Sequence, residues 1–244
     1  MDQWTERKNA SEFWLMRRIL TMVAMWLGAC SLVSLAGYAV VPHALTRMPG
    51  QPAMVLIAIA LAVWLWRAPS PSGFLALCGA FVVGIACFLF SMPQRSGGDR
   101  LFFLIWGVAL TVMACGYLYL RYRRFAPLAN VETRRELIEE VGALIKQTMA
   151  GKQSPDASVF VIRVSQRRAY KIGLFADELL LVDDIGWDLC LARREDVQFQ
   201  DRHRVLLGTD HRVTIQIGNR KWKGRMSAGQ SERLQNWLEQ PTAS

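Results

Sequence analysis

The chain has 244 residues, 52% of them hydrophobic and 20% charged, with a formal net charge of +9. The charges are unevenly spread: residues 1–120 hold 8 Lys and Arg with 4 Asp and Glu, whereas residues 121–244 hold 21 and 16. A first half so poor in charge excludes one large soluble core and points to a membrane protein that carries a soluble domain. A basic excess shared between both halves reads as positive-inside bias and attraction to anionic headgroups, not as a nucleic-acid-binding polycation.

Met1 to Phe13 is polar and mixed in charge, which predicts a short cytoplasmic tail and not the n-region of a cleavable signal. Trp14, Arg17 and Arg18 then form an interface anchor. Ile19 to Val41 carries no ionisable side chain and is long enough, at about 1.5 Å per residue, for a hydrocarbon core of about 30 Å. Pro42 to Gln51 reads as an outer loop. The second apolar run, Pro52 to Trp66, is short for a span; Trp64 and Trp66 put its end at an interface. Arg67 to Gly73 is a tight turn, Phe74 to Met92 a third span, and Pro93 to Arg100 a second loop with Gly97 and Gly98 at its tip. The fourth span starts at Leu101 and leaves the bilayer through Tyr117, Tyr119 and Tyr122 mixed with Arg121, Arg123 and Arg124. Basic flanks at both ends of the membrane half predict four crossings with both termini in the cytoplasm.

No Asp, Glu, Lys, Arg or His falls between the ends of the spans, which argues against a proton relay, a secondary transporter or a pump and leaves open a pore lined by small residues. Small residues recur at four-residue spacing: Ala76, Ala80 and Gly84 in the third span, Ala24 and Gly28 in the first, Gly107, Thr111 and Cys115 in the fourth. Such ridges let helices approach closely. They predict packing within one bundle, with homo-oligomerisation as the second reading.

Pro127 predicts a helix break. Thr133 to Glu136 then fits a capping box, and Leu137, Ile138, Val141, Leu144, Ile145 and Met149 make one apolar stripe that stops at Gly151. Glu139 and Glu140 on its polar face favour packing on the following domain over lying on lipid. From Ser158 the period changes to two. Runs at 158–164, 169–175, 179–183, 187–191, 197–200, 205–207, 212–217 and 220–226 predict seven or eight short strands. Asp201 to Arg204 reads as a turn, and Gly218-Asn219 as a two-residue hairpin. A closing helix runs from about Ser227 to Gln240.

Many short antiparallel strands closed by one amphipathic helix resemble the pleckstrin-homology (PH-like) superfold, which bacteria also use. The likeness is sharpest in Met226 to Leu238, where Glu232 and Arg233 precede Trp237 as in the closing helix of that family. Leu234, Trp237 and Leu238 are then expected to plug the open end of the sheet. The predicted fold is therefore a membrane α-helical bundle of four transmembrane helices (residues 1–124), an amphipathic connector (125–157) and a β-rich α+β PH-like soluble domain (158–244).

The resemblance implies binding of lipid headgroups around the first hairpin, where Arg163, Arg167, Arg168 and Lys171 fall. Arg220, Lys221, Lys223 and Arg225 make a second basic strand, its charges alternating with Trp222. The plain reading of both sets is a solvated face; the functional one is contact with lipid headgroups or a protein partner. Cys30, Cys78, Cys87 and Cys115 sit in apolar runs and Cys190 in the soluble half. None has metal-ligand or CxxC spacing, so neither a disulfide framework nor a metal or cofactor site is expected. His43, His203 and His211 form no catalytic pattern, and Asp183-Asp184 reads as a turn cap.

The function expected from sequence is non-catalytic. A multi-pass inner (plasma) membrane protein would bind membrane lipids through its spans and a protein partner or an anionic lipid surface through its cytoplasmic domain, in scaffolding, assembly, or an immunity or exclusion role. The rival from another class is a channel or transporter gated by that domain. No nucleic acid is expected as a partner.

Overall fold

The computed structural model describes residues 3–40, 50–90, 97–130, 134–151, 158–165, 168–204 and 210–240. The chain forms two compact units, Met1–Leu15 with Thr133–Ser244, and Met16–Glu132.

The second of these is helical. It contains most of α1 (Gln3–Val40), then α2 (Gly50–Arg67), α3 (Ser72–Phe90) and α4 (Gly97–Phe125), which passes into a 3₁₀ turn at Ala126–Asn130. Helix breaking at Pro127 follows the sequence reading. Three expectations are corrected. The predicted tail is helical, because α1 starts at Gln3. α2 begins at Gly50 instead of Pro52, since proline is tolerated within the first helical turn. α4 takes in Gly97 to Arg100, read from sequence as a loop. The expected outer loop at 42–49 lies outside the described residues.

Two stretches, Gln3–Ala36 and Leu104–Ala129, are long and apolar enough to cross a membrane; the described apolar stretches Met54–Arg67 and Ser72–Cys87 are shorter. Phe74 stacks on Phe125 with ring centroids 5.7 Å apart. Gly73 lets the turn close: a Cβ there would come within 2.6 Å of Leu65. Ala80 and Gly84 line an apolar hollow of about 320 Å³ with Trp26 of α1 and Met54 of α2. Part of the small-residue ridge therefore faces neighbouring helices of its own bundle. Trp26, Val33, Leu56, Val112 and Met113 remain exposed.

The other unit is a curled antiparallel half-barrel, compatible with a PH-like fold. Its strands are β1 (Ser158–Ser165), β2 (Arg168–Leu174), β3 (Glu178–Asp183), β4 (Leu189–Arg193), β5 (Val197–Arg204), β6 (Asp210–Ile217) and β7 (Arg220–Ser227). They form one sheet in the order β4-β3-β2-β1-β7-β6-β5. Asp201 to Arg204, predicted as a turn, continues β5: Asp201 pairs with Val213 and Arg202 with Arg212. β5 is an edge strand, and an edge tolerates polar residues that mimic a turn signal. The Gly218-Asn219 hairpin forms as expected, with Gly218 at φ 53° and Ile217 paired with Arg220.

Phe160, Ile162, Ile172, Leu181, Ile215 and Trp222 fill the concave core, and Leu234 and Trp237 of α6 (Ala228–Glu239) close it. α6 opens on a capping-box contact, the Ser227 N–H donating to Gln230 Oε1 at 3.3 Å. β3 does not alternate: Leu179 to Val182 are all fully buried. Leu179 and Leu181 face the concave core. The opposite face of this half of the sheet lies under α5 (Arg135–Ala150), where Thr148 sits so close to Gly173 that a Cβ there would come within 2.4 Å. Lys171 donates to the carbonyl of Met149 at the end of the same helix. The connector helix thus packs on the sheet. Arg134 occupies its N-cap and makes no side-chain cap bond, while Thr133 lies outside the described residues; Gly151 closes it at φ 68°.

The first turns of α1 belong to the same unit. Arg7 reaches Glu178 of β3 at 2.6 Å and Glu140 of α5 at 2.6 Å. The Arg193 guanidinium lies 5.1 Å from the Trp4 ring centroid. Trp14 packs its indole 2.7 Å from where a Cβ on Gly142 would stand. Burial acts to lower the pKa of Arg7, but its two carboxylate partners outweigh that and raise it overall.

Where β1 crosses β7, Gly224 comes so near that a Cβ would stand 2.7 Å from the Arg163 carbonyl oxygen and 2.6 Å from Ile162. Gly224→Ala is expected to destabilise this unit by about 1–3 kcal/mol, because a backbone atom cannot swing aside. The check is thermal unfolding of the full chain in detergent. An unchanged melt would show that the two strands part freely.

Candidate functional site

β1 and β7 meet at a single bridged pair, Arg163 with Arg225. On the far side of β7, Arg225 pairs with Arg212 of β6. Three arginines therefore stand in one row across three adjacent strands. Lys221 and Lys223 extend the charge along β7, where side chains alternate between Trp222 and Met226 buried on one face and the cations exposed on the other. Paired residues of neighbouring strands put their side chains on the same face, so the row and the β7 lysines converge.

Together they line an open cleft of about 920 Å³, floored by Thr214 and bounded at one end by Asp210. All five cations are exposed. Among the described residues none of the five forms an ion pair or hydrogen bond. Like charges held this close repel one another. A polyanion would relieve that repulsion, and guanidinium groups give carboxylate or phosphate two parallel bonds each.

The two basic sets expected from sequence separate in space. Arg163, Lys221, Lys223 and Arg225 come together in the cleft. Arg220 instead places one nitrogen at 2.6 and 2.7 Å from the two carboxylate oxygens of Asp188 and donates from the other to the Leu189 carbonyl. Arg168 lies 3.8 Å from the same carboxylate. Tyr170 O–H also donates to Asp188, at 3.1 Å. Burial, reinforced by Asp188, pushes the Tyr170 phenol up, so it stays a protonated donor. Lys171 is held at the end of α5, as above. Arg167 lies outside the described residues. Arg212 was not among the expected site residues; its only sequence signal is its place on the polar side of an alternating strand.

Arg121 donates to the Tyr117 hydroxyl at 3.0 Å and lies over its ring. Arg124 lies over Phe125, and Arg123 and Arg17 are exposed. Asp183 caps its turn as expected, accepting from the N–H groups of Trp187 and Asp188 at 2.6 and 3.0 Å. Burial pushes the Cys190 thiol up, away from thiolate chemistry.

The structure brings His211, Asp201 and Ser231 together. Asp201 Oδ2 accepts from Ser231 Oγ at 2.6 Å and meets His211 Nδ1 at 2.7 Å. The carboxylate stands between hydroxyl and imidazole, whereas activating a serine requires the imidazole between hydroxyl and carboxylate. The trio ties α6 to β5 and β6. Among the described residues no group of three or more His, Cys, Asp or Glu is placed to hold a metal ion.

No protein-family model matches the sequence, and no curated protein shows significant similarity to it.

Proposed function

We propose that this chain is a non-catalytic, four-span inner-membrane protein with both ends in the cytoplasm, whose PH-like domain binds an anionic partner, protein or lipid surface, through the β1–β7–β6 cleft. The carrying observation is the row of Arg163, Arg225 and Arg212 with Lys221 and Lys223, five exposed cations without a partner among the described residues. Surface cations in folded proteins are usually dispersed among acids; this patch is not.

The four-span reading is supported by helix length. α2 has 18 residues and α3 has 19, a rise of about 27–29 Å each against a core of about 30 Å. The apolar side chains left exposed on the helical unit, Leu56 and Met113 among them, suit lipid better than water. Such an anchor with a charged docking face fits scaffolding, assembly, or an immunity or exclusion role.

The test is a photo-crosslinker at Lys223 in living cells. A discrete adduct lost on Arg163→Glu/Arg225→Glu is the expected result, and its mass tells protein from lipid. An adduct pattern indifferent to that charge reversal would remove the cleft from the function.

A further inference from the structure

We infer that the occupant of the cleft is an extended acidic segment of a partner protein, with carboxylates at alternate positions. The inference rests on the reading of the cleft as an anion site and names its ligand.

The reason lies in how the cations are spaced. Lys221, Lys223 and Arg225 are every second residue of β7, so they stand about 6.7 Å apart. An extended chain presents alternate side chains at the same interval. A segment laid along β7 faces three carboxylates to these three cations while its intervening side chains point to solvent. Arg163 and Arg212 flank Arg225 on either side, about 4.8 Å away across the ladder. The charge is thus deepest at Arg225 and thins toward Lys221. A compact phosphate group would engage the arginine row and leave Lys221 unused.

Asp210 sets the limit of the segment. It pairs with Ser227, two residues beyond Arg225 on β7, and lines the same cleft. A fourth carboxylate in register there would meet a like charge. The fitted ligand therefore carries acids at three alternate positions and a neutral or basic residue at the next.

The probe is a fluorescein-labelled peptide with three glutamates at alternate positions in a serine background. It is compared with a peptide of equal composition whose glutamates are consecutive. Each is titrated by anisotropy against the full chain in phosphatidylcholine nanodiscs. The alternating peptide is expected to bind several-fold tighter, because consecutive side chains point to opposite faces. Arg225→Glu should weaken it about tenfold, and Asp210→Asn should tighten it about threefold, by adding and removing charge at the rim. The gain from Asp210→Asn cannot come from misfolding.

Equal binding of both peptides would overturn the alternating register while leaving the cleft an anion site. Absence of peptide binding, with flotation on phosphatidylglycerol vesicles that Arg225→Glu abolishes, would replace the protein segment by a lipid surface. Absence of both would overturn the anion site itself.

Discussion

Trp237→Ala should cost the β unit about 3–5 kcal/mol, the range for deleting a large buried aromatic side chain. The indole fills the end of the half-barrel beside Leu234. Its N–H donates to the Phe175 carbonyl at 2.6 Å, and the Arg194 guanidinium lies 4.9 Å from its ring centroid. Arg194 is itself only 7% exposed, bonded to the carbonyls of Ala176 and Gln240 and paired with Asp177 at 3.1 Å. Removing the ring opens a cavity and strips the cover from a buried cation. Trp237→Phe keeps a ring under Arg194 and loses the N–H bond, so a smaller loss of about 1–3 kcal/mol is expected. Thermal unfolding of both variants in detergent, followed by circular dichroism, orders them. If alanine and phenylalanine cost the same, the hydrogen bond and not the filled volume holds this end together.

At the sheet edge where β4 begins, Asp188→Ala is expected to destabilise the unit by about 2–4 kcal/mol. Breaking a partly buried pair from one side leaves the other charge without its partner. The lower bound reflects Arg220, whose side chain is 40% exposed against 17% for Asp188. Two donors converge on this carboxylate from two strands, Tyr170 on β2 and Arg220 on β7, and the Arg168 guanidinium of β2 stands 3.8 Å away as a further cation. Asp188→Asn keeps an acceptor and should lose less. Arg220→Lys should not behave as wild type, because an ammonium cannot reach both oxygens and the Leu189 carbonyl as the planar fork does. A double-mutant cycle on Asp188 and Arg220 measures the coupling. A coupling near zero would reduce the pair to a surface contact.

Local pattern made much of this protein legible. The contrast between a charge-poor apolar half and a charge-rich half separates helical bundle from β domain, because long apolar helices and a sheet with one solvated face carry different densities of charge. Alternation across Trp222 to Met226 marks the buried face of β7, and Gly218-Asn219 supplies the positive φ its hairpin needs. Trp237 and Leu234 on one face of a capped helix give the lid of the half-barrel.

Other features lay beyond local pattern. The polar run Asp201 to Arg204 looked like a turn and is an edge strand, because an unpaired edge faces solvent. Leu179 to Val182 is buried on both faces only because α5 and the first turns of α1 belong to the same unit, the latter from the far end of the chain. Nothing near Arg220 in sequence says that Asp188 neutralises it while Lys221 and Lys223 have no ion-pair partner among the described residues. Arg163 and Arg225 are separated by 62 residues of chain, and Arg212 joins them through a third strand. Composition and periodicity set which residues are buried and which elements form, since those are short-range properties of solvation and backbone geometry. Which cations share a cleft and which are spent on an ion pair was decided by strand register and chain crossing, which bring together residues that no local period connects.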